Sequence, residues 1–288
     1  MADDSNGDRG PHYVVKTGGA GLHDTANYRP LLLRAQAITK RFGELVALDR
    51  VDFDIPRHAI VSLIGPNGSG KTVLFKILTG IYRPDSGDVW FNGQSISSLA
   101  PHQVTELGIA QTFQNVRLFP NMSVLENVLV GLHCRIHESL WGSIFQAGNV
   151  RAEERRATSR ALEMLEFVGL DNLDGETSKN LPYGAQRRLE IARALASDPE
   201  LLLLDEPTAG MNPQETADIM RLISRVRDEH GTTVLLVEHD MRVVMRISDR
   251  VTVLDHGVKI AEGAASEVRA DPRVIETYLG RGAAEKRV

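Results

Sequence analysis

AIVSLIGPNGSGKTVLFKILTG, residues 59–80, holds three kinds of local structure in succession. The apolar, partly β-branched run AIVSLI suits a buried strand, the next six residues are rich in glycine, and VLFKILTG carries apolar side chains at helical spacing. Strand, glycine loop and helix form the context in which the pattern GxxxxGK[ST] binds phosphate. Gly65, Pro66, Asn67, Gly68, Ser69 and Gly70 would turn successive backbone N–H groups inward around an anion, and the helix N-terminus adds its positive dipole. Lys71 would then reach the β- and γ-phosphates of a nucleotide, and the Thr72 hydroxyl would sit on Mg²⁺. A glycine-rich turn without a ligand is the competing reading of this motif taken alone.

LLLLDEP, residues 201–207, supplies what that motif lacks. Four successive leucines suit a parallel strand buried on both faces, and open α/β sheets bind ligands at the ends of such strands. Two adjacent carboxylates there are costly unless a cation or a polarised water lies between them. Asp205 is the candidate metal holder, and Glu206 the candidate base that orients and deprotonates an attacking water. Together the two motifs predict a protein that binds ATP or GTP.

The wider composition agrees with such a protein and excludes other classes. The chain has 288 residues, is 42% apolar and 25% charged, and carries a net charge of −5, so it can bury a sizeable core and has no overall basic bias toward nucleic acid. No apolar run approaches the roughly 18 to 20 residues that span a bilayer. Work at a membrane would therefore be peripheral and need an embedded partner. The lone Cys134 precludes an internal disulfide and fits a reducing compartment. Residues 1–30 lack a signal-type apolar core and read as a flexible tail.

Along the chain, LLLRAQAITKRF, LVALDRVDFDIP and DVWFNGQSI read as hairpin-like strands, the last with a turn at Asn92 and Gly93. From Val124 to Ala196 the pattern turns helical, and beyond it strands and helices alternate without an internal repeat. HCRIH offers His133, Cys134 and His137 to a metal, but no second ligand cluster lies nearby and a structural site needs four ligands. Leu140, Trp141, Ile144 and Phe145 read instead as an insertion that packs on the helical region or meets a partner.

LPYGAQRRLEIARALASDPELLLLDEPTAGMNP resembles the signature, Walker B and D-loop block of ATP-binding cassette ATPases, and the resemblance extends from Leu32 to the end of the chain. It implies a P-loop NTPase (RecA-like) α/β core with an antiparallel β subdomain and an inserted helical subdomain at about residues 115–195, all within 31–267, then a helical extension over 268–288. It implies that Phe42 stacks on adenine, that Gln114 touches Mg²⁺ or its water, that Tyr183 and Gly184 face the γ-phosphate held by a second subunit, that Asn212 closes the D-loop, and that His239 is the switch histidine. Two departures stand out. The usual LSGGQ is LPYGA, with Pro182 in place of a serine hydroxyl, and Val73 replaces a hydroxyl residue beside the phosphates.

RFGELVALDRVDF, TFQNVRLFPNMSVLENVLVGLH, YGAQRRLEIARALA, AGMNP and DPRVIETYLG are similar to the ATPases of branched-chain amino acid importers in particular. The resemblance implies ATP and Mg²⁺ as cofactors, a head-to-tail dimer with a second copy or a paralogue, and two transmembrane permeases. It further implies an extracytoplasmic solute-binding protein and a place on the cytoplasmic face of the membrane, with no nucleic acid. An exporter or lipid-extraction ATPase, or a soluble cassette protein that remodels nucleic acid or ribosomes, is the alternative.

Overall fold

The computed structural model describes residues 14–16, 28–136 and 147–279. The other residues of the N-terminal stretch, the insertion residues Leu140, Trp141, Ile144 and Phe145, the side chains of HCRIH and the last residues of the C-terminal extension lie outside the described residues. The strands in chain order are β1 (Val14–Lys16), β2 (Tyr28–Phe42), β3 (Leu45–Pro56), β4 (Ile60–Ile64), β5 (Ser86–Phe91), β6 (Gln94–Ser95), β7 (Ile109–Gln111), β8 (Leu201–Asp205), β9 (Thr233–Val237), β10 (Arg250–Asp255) and β11 (Val258–Gly263). The helices are α1 (Lys71–Leu78), α2 (Pro101–Glu106), α3 (Val124–Ile136), α4 (Ala147–Phe167), α5 (Tyr183–Ala196), α6 (Pro213–Asp228), α7 (Met241–Ile247), α8 (Ala265–Ala270) and α9 (Pro272–Leu279).

Two sheets organise these elements. β2 is the spine of an antiparallel sheet, pairing with β1, β3 and β5, and β5 turns at Asn92 and Gly93 into β6. The central sheet runs β11-β10-β4-β9-β8-β7, parallel throughout except at its β11 edge. The glycine loop leaves β4, the carboxylate pair ends β8, and the VEHD segment follows β9, the strand that lies between them. Three functional stretches far apart in sequence thus meet at one edge of the sheet, at the carboxyl ends of adjacent parallel strands.

The apolar run in β8 follows from burial on both of its faces. Leu202 and Leu204 join Val234, Leu236 and Ile60 in a core shared with α3, α4, α5 and α6. Leu201 and Leu203 join Val61, Leu63, Leu235 and Val237 in a second core shared with α1 and the antiparallel sheet. Side chains alternate across a strand, so each leucine is fully buried, worth about 1.5 to 3 kcal/mol apiece. The helical layer and the antiparallel sheet clamp the central sheet between them, which leaves the strand ends as the open edge.

Helix α6 is anchored where the D-loop ends. The Asn212 side chain accepts the N–H groups of Gln214 and Glu215 at 2.9 and 3.0 Å, and Glu215 accepts the Asn212 N–H at 3.0 Å. With Pro213 in the first turn, this capping box fixes the helix start and contributes about 1 kcal/mol. Asn212 therefore has a structural task beside any contact with a partner. Among the described residues, no helix is long and apolar enough to cross a membrane.

Candidate nucleotide site

Sterics hold the loop after β4 in place. Gly65 has φ +151°, and a Cβ there would fall 2.1 Å from the Leu254 carbonyl oxygen and 2.6 Å from Ser69 Oγ. Gly70, at φ +103°, would press a Cβ to 2.7 Å from the Ala47 carbonyl. β10 and β3 close against the back of the loop so tightly that only glycine fits. Ser69 N–H donates to Pro66 O at 3.2 Å and Gly257 N–H to Ser69 O at 3.0 Å, which shapes the loop from inside and behind. Gly70 caps α1 without a side chain, so the first amides of α1 have no capping side-chain acceptor and present an anion-binding end. Ser69 Oγ is buried without a hydrogen-bond partner.

Lys71 folds back over this loop, its Nζ donating to the carbonyls of Gly65 at 2.7 Å and Pro66 at 2.9 Å. Burial lowers its pKa, while Glu206 and Asp205 oppose that shift. The ammonium is thus parked on backbone oxygens beside two carboxylates. Thr72 is exposed at the start of α1, whereas the Val73 side chain packs toward the core, so only its backbone can face a phosphate.

At the end of β8, Glu206 turns out of the strand with φ +45°, a left-handed backbone that costs about 1 to 2 kcal/mol for a residue with a Cβ. Its N–H donates to Val237 O of β9 at 2.9 Å, which holds that turn. Gln114 Nε2 donates to Glu206 Oε2 at 3.0 Å, and His239 Nδ1 stands 3.6 Å from Oε1. Burial, and then the neighbouring Glu206, push the Asp205 carboxyl up to about 6. The pair is short of positive charge, the condition in which a cation or a polarised water binds.

Glu238, which the sequence reading passed over, lies 1% exposed directly before His239. Its carboxylate accepts the Thr208 N–H at 3.2 Å, the Thr208 hydroxyl, and the His239 N–H at 3.1 Å. It ties the segment after Glu206 to the segment carrying His239. Arg187 and Glu190 were also missed; they form a buried pair with Nη1 to Oε2 at 2.7 Å that grips the backbone around Gln114. An Arg and a Glu three apart on a helix ordinarily read as a solvated pair, so nothing local marked them.

The remaining candidates lie around this centre. Phe42 is 42% exposed at the end of β2, edge-on to Tyr82 at 5.4 Å with Lys40 Nζ 5.5 Å from its ring centroid. It is no core aromatic, and its hairpin partner β3 supplies the Ala47 and Leu48 that abut Gly70. Tyr183 is 41% exposed in the first turn of α5, and a Cβ on Gly184 would meet Glu215 of α6 at 3.2 Å. Among the described residues no hydrogen bond joins Tyr183 or Gly184 to the glycine loop, so the chain keeps these two regions apart.

A glycine loop after β4, a lysine on it, and a carboxylate pair ending a parallel strand of the same sheet define a P-loop nucleoside triphosphatase. The chain belongs to the ABC transporter family, whose profile matches residues 48–209, and it is a nucleotide-binding ATPase. A second profile, described as branched-chain amino acid ATP-binding cassette transporter, matches residues 258–284. The chain is 43% identical over 252 residues to the high-affinity branched-chain amino acid transport ATP-binding protein BraF of Pseudomonas aeruginosa, covering 88% of this chain and 98% of that one. Among solved structures it is similar to the ADP conformation of MJ1267, an ATP-binding cassette of an ABC transporter, with 33% identity, a TM-score of 0.75, and 87% and 99% of the two chains covered. It is also similar to the dimeric post-hydrolysis state of the cassette MJ0796 bound to ADP and Pi, at 29% identity and a TM-score of 0.68 over 81% and 98% of the chains.

Proposed function

We propose that this ATPase powers the import of branched-chain or related amino acids from the cytoplasmic face of the cell membrane. The observation that carries this reading is the match of residues 258–284 to the branched-chain profile, because the match over 48–209 is common to transporters of many solutes. Two transmembrane permeases would receive the work, and an extracytoplasmic solute-binding protein would deliver the amino acid to them. Cells lacking this chain should lose high-affinity uptake of radiolabelled leucine, isoleucine and valine, and the wild-type gene should restore it. Unchanged uptake of all three would overturn the import reading.

Within the site, Phe42 stacks on adenine, and the backbone of residues 65–73 wraps the phosphates. Lys71 exchanges the Gly65 and Pro66 carbonyls for β- and γ-phosphate oxygens. The donor set suits a hard divalent cation: the Thr72 hydroxyl, the under-neutralised Asp205 carboxylate acting through water, and Gln114 at its edge would hold Mg²⁺. Bound there, it supplies charge neutralisation to the phosphate oxygens. Glu206 takes the proton of the attacking water, oriented by Gln114 at 3.0 Å, and His239 reaches the γ-phosphate beside it. Tyr183 and Gly184 serve the nucleotide of a second ATPase subunit, a copy or a paralogue, in a head-to-tail pair.

A further inference from the structure

Arg187 and Glu190 are buried to 0% and 1% exposure on α5, the helix that opens with Tyr183 and Gly184. Arg187 Nη1 donates to Phe113 O at 2.7 Å and Nη2 to Gln114 O at 2.8 Å. Glu190 Oε1 accepts the N–H groups of Phe113 at 3.4 Å and Arg117 at 3.3 Å. Arg187 Nη2 also faces the Tyr183 hydroxyl at 3.4 Å, and the Arg117 guanidinium lies over the Phe113 ring at 4.6 Å. Thus one ion pair holds both donors and acceptors of the loop that carries Gln114.

Stability alone is a poor reason for such a pair. Replacing a buried ion pair by apolar residues of similar volume is often neutral or stabilising, because desolvation consumes the Coulombic gain. What apolar residues cannot do is fix a loop that has no secondary structure of its own. The planar fork of Arg187 spans two successive carbonyls, and a fixed loop is what places an amide side chain at 3.0 Å from the Glu206 carboxylate.

We propose that Arg187 and Glu190 are positioning residues for ATP hydrolysis: they lock the backbone of residues 113–117 to the signature helix so that Gln114 stays on Glu206. The signature end of α5 and the Gln114 loop then move as one body, so a movement at Tyr183 is felt at Glu206. This inference rests on the reading of Gln114 as a partner of Glu206 in the reaction.

The test compares steady-state ATP turnover of the full-length chain in four forms: wild type, Gln114→Ala, the double variant Arg187→Met with Glu190→Leu, and all three changes together. The double variant is expected to lower kcat roughly 10- to 100-fold, the scale on which a displaced reacting group costs rate, with KM for ATP unchanged. Adding Gln114→Ala should lower it no further, and amide exchange should quicken at Phe113 and Arg117 but not within α5. Wild-type turnover in the double variant, or a full multiplication of the two effects in the triple variant, would overturn the proposal. If Gln114→Ala alone turns over at the wild-type rate, the reading of Gln114 falls and the positioning role falls with it. A drop for Gln114→Ala beside a normal double variant sinks the positioning role only. Should the double variant fail to melt cooperatively, Arg187→Lys decides the matter. It keeps the charge but loses the fork, so kcat should fall with folding intact, and a wild-type kcat would refute the role.

Discussion

Two sets of carboxylates within this core solve opposite problems. Glu190 is buried to 1% exposure and carries an arginine and two backbone amides on its oxygens, as Glu238 carries Thr208 and His239. Asp205 and Glu206 sit side by side with one amide donor, a distant imidazole and a lysine that bonds to backbone carbonyls instead. The satisfied carboxylates fix segments, and the unsatisfied pair is left with capacity for chemistry. Full satisfaction gives rigidity and no reactivity, whereas a deficit of positive charge is what a phosphate-bound cation and a water can fill.

The largest expected effect is on the unsatisfied side. Glu206→Gln keeps the shape and removes the proposed base, so ATP turnover should fall by about 10²- to 10⁴-fold, the usual weight of a positioned general base. Thermal melting should be unchanged or slightly raised, since a left-handed residue beside Asp205 sheds a charge. Turnover within a few-fold of wild type would remove Glu206 from the reaction. On the satisfied side the same kind of change should strike folding. Arg187→Met alone strands the Glu190 carboxylate in the core and should cost about 3 to 5 kcal/mol in denaturant unfolding, while the double change with Glu190→Leu should recover most of that loss. Equal melting of the single and double variants would show that the pair is not coupled.

The same contrast explains what the sequence revealed. The glycine loop, β8 and its carboxylates were legible because each depends on neighbours in sequence: an unbroken apolar run over Leu201–Leu204, and glycine at backbone angles that Gly65 and Gly70 require. The family resemblance supplied Phe42, Gln114, His239, Tyr183 and Gly184, whose roles no local rule could give. Arg187 and Glu190 were hidden because their partners lie more than seventy positions away, at Phe113 and Gln114, and a charged pair on a helix looks the same whether solvated or buried. α5 begins at Tyr183 directly after Pro182, since proline has its φ already set for a helix entrance and Leu181 before it is extended.

A pH experiment sharpens the contrast at intermediate size. The Asp205 carboxyl, raised to about 6, holds its proton more tightly in the folded chain than in the unfolded one. Its contribution to stability is therefore fully present below the unfolded value near 4 and is lost as pH rises through about 6. Asp205→Asn should leave stability without nucleotide nearly unchanged at low pH and raise it above about pH 6 by on the order of 1 kcal/mol, discounted because the group is only partly buried. Metal-dependent nucleotide binding should weaken in wild type as pH falls below that point, since a protonated carboxyl is a poor ligand for a hard cation. Parallel stability curves for the two proteins from pH 4 to 8 would mean that Asp205 is not the strained member of the pair.

The smallest effect concerns the region that neither set of carboxylates completes. Pro182 caps α5 without a side-chain hydrogen bond, and its carbonyl accepts the N–H groups of Ala185 at 2.9 Å and Gln186 at 3.0 Å. A serine there would cap the helix, worth about 1 kcal/mol, but would return to the unfolded chain about 0.4 to 1 kcal/mol of freedom that proline removes. Stability should thus barely move. The same hydroxyl would stand in the turn that carries Tyr183 and Gly184, the pair proposed to meet another subunit's nucleotide, so Pro182→Ser should leave ATP binding intact and raise steady-state turnover modestly. Because nothing else in the chain changes, an unchanged or lower rate would mean that backbone amides at the start of α5 already supply all that the missing hydroxyl could.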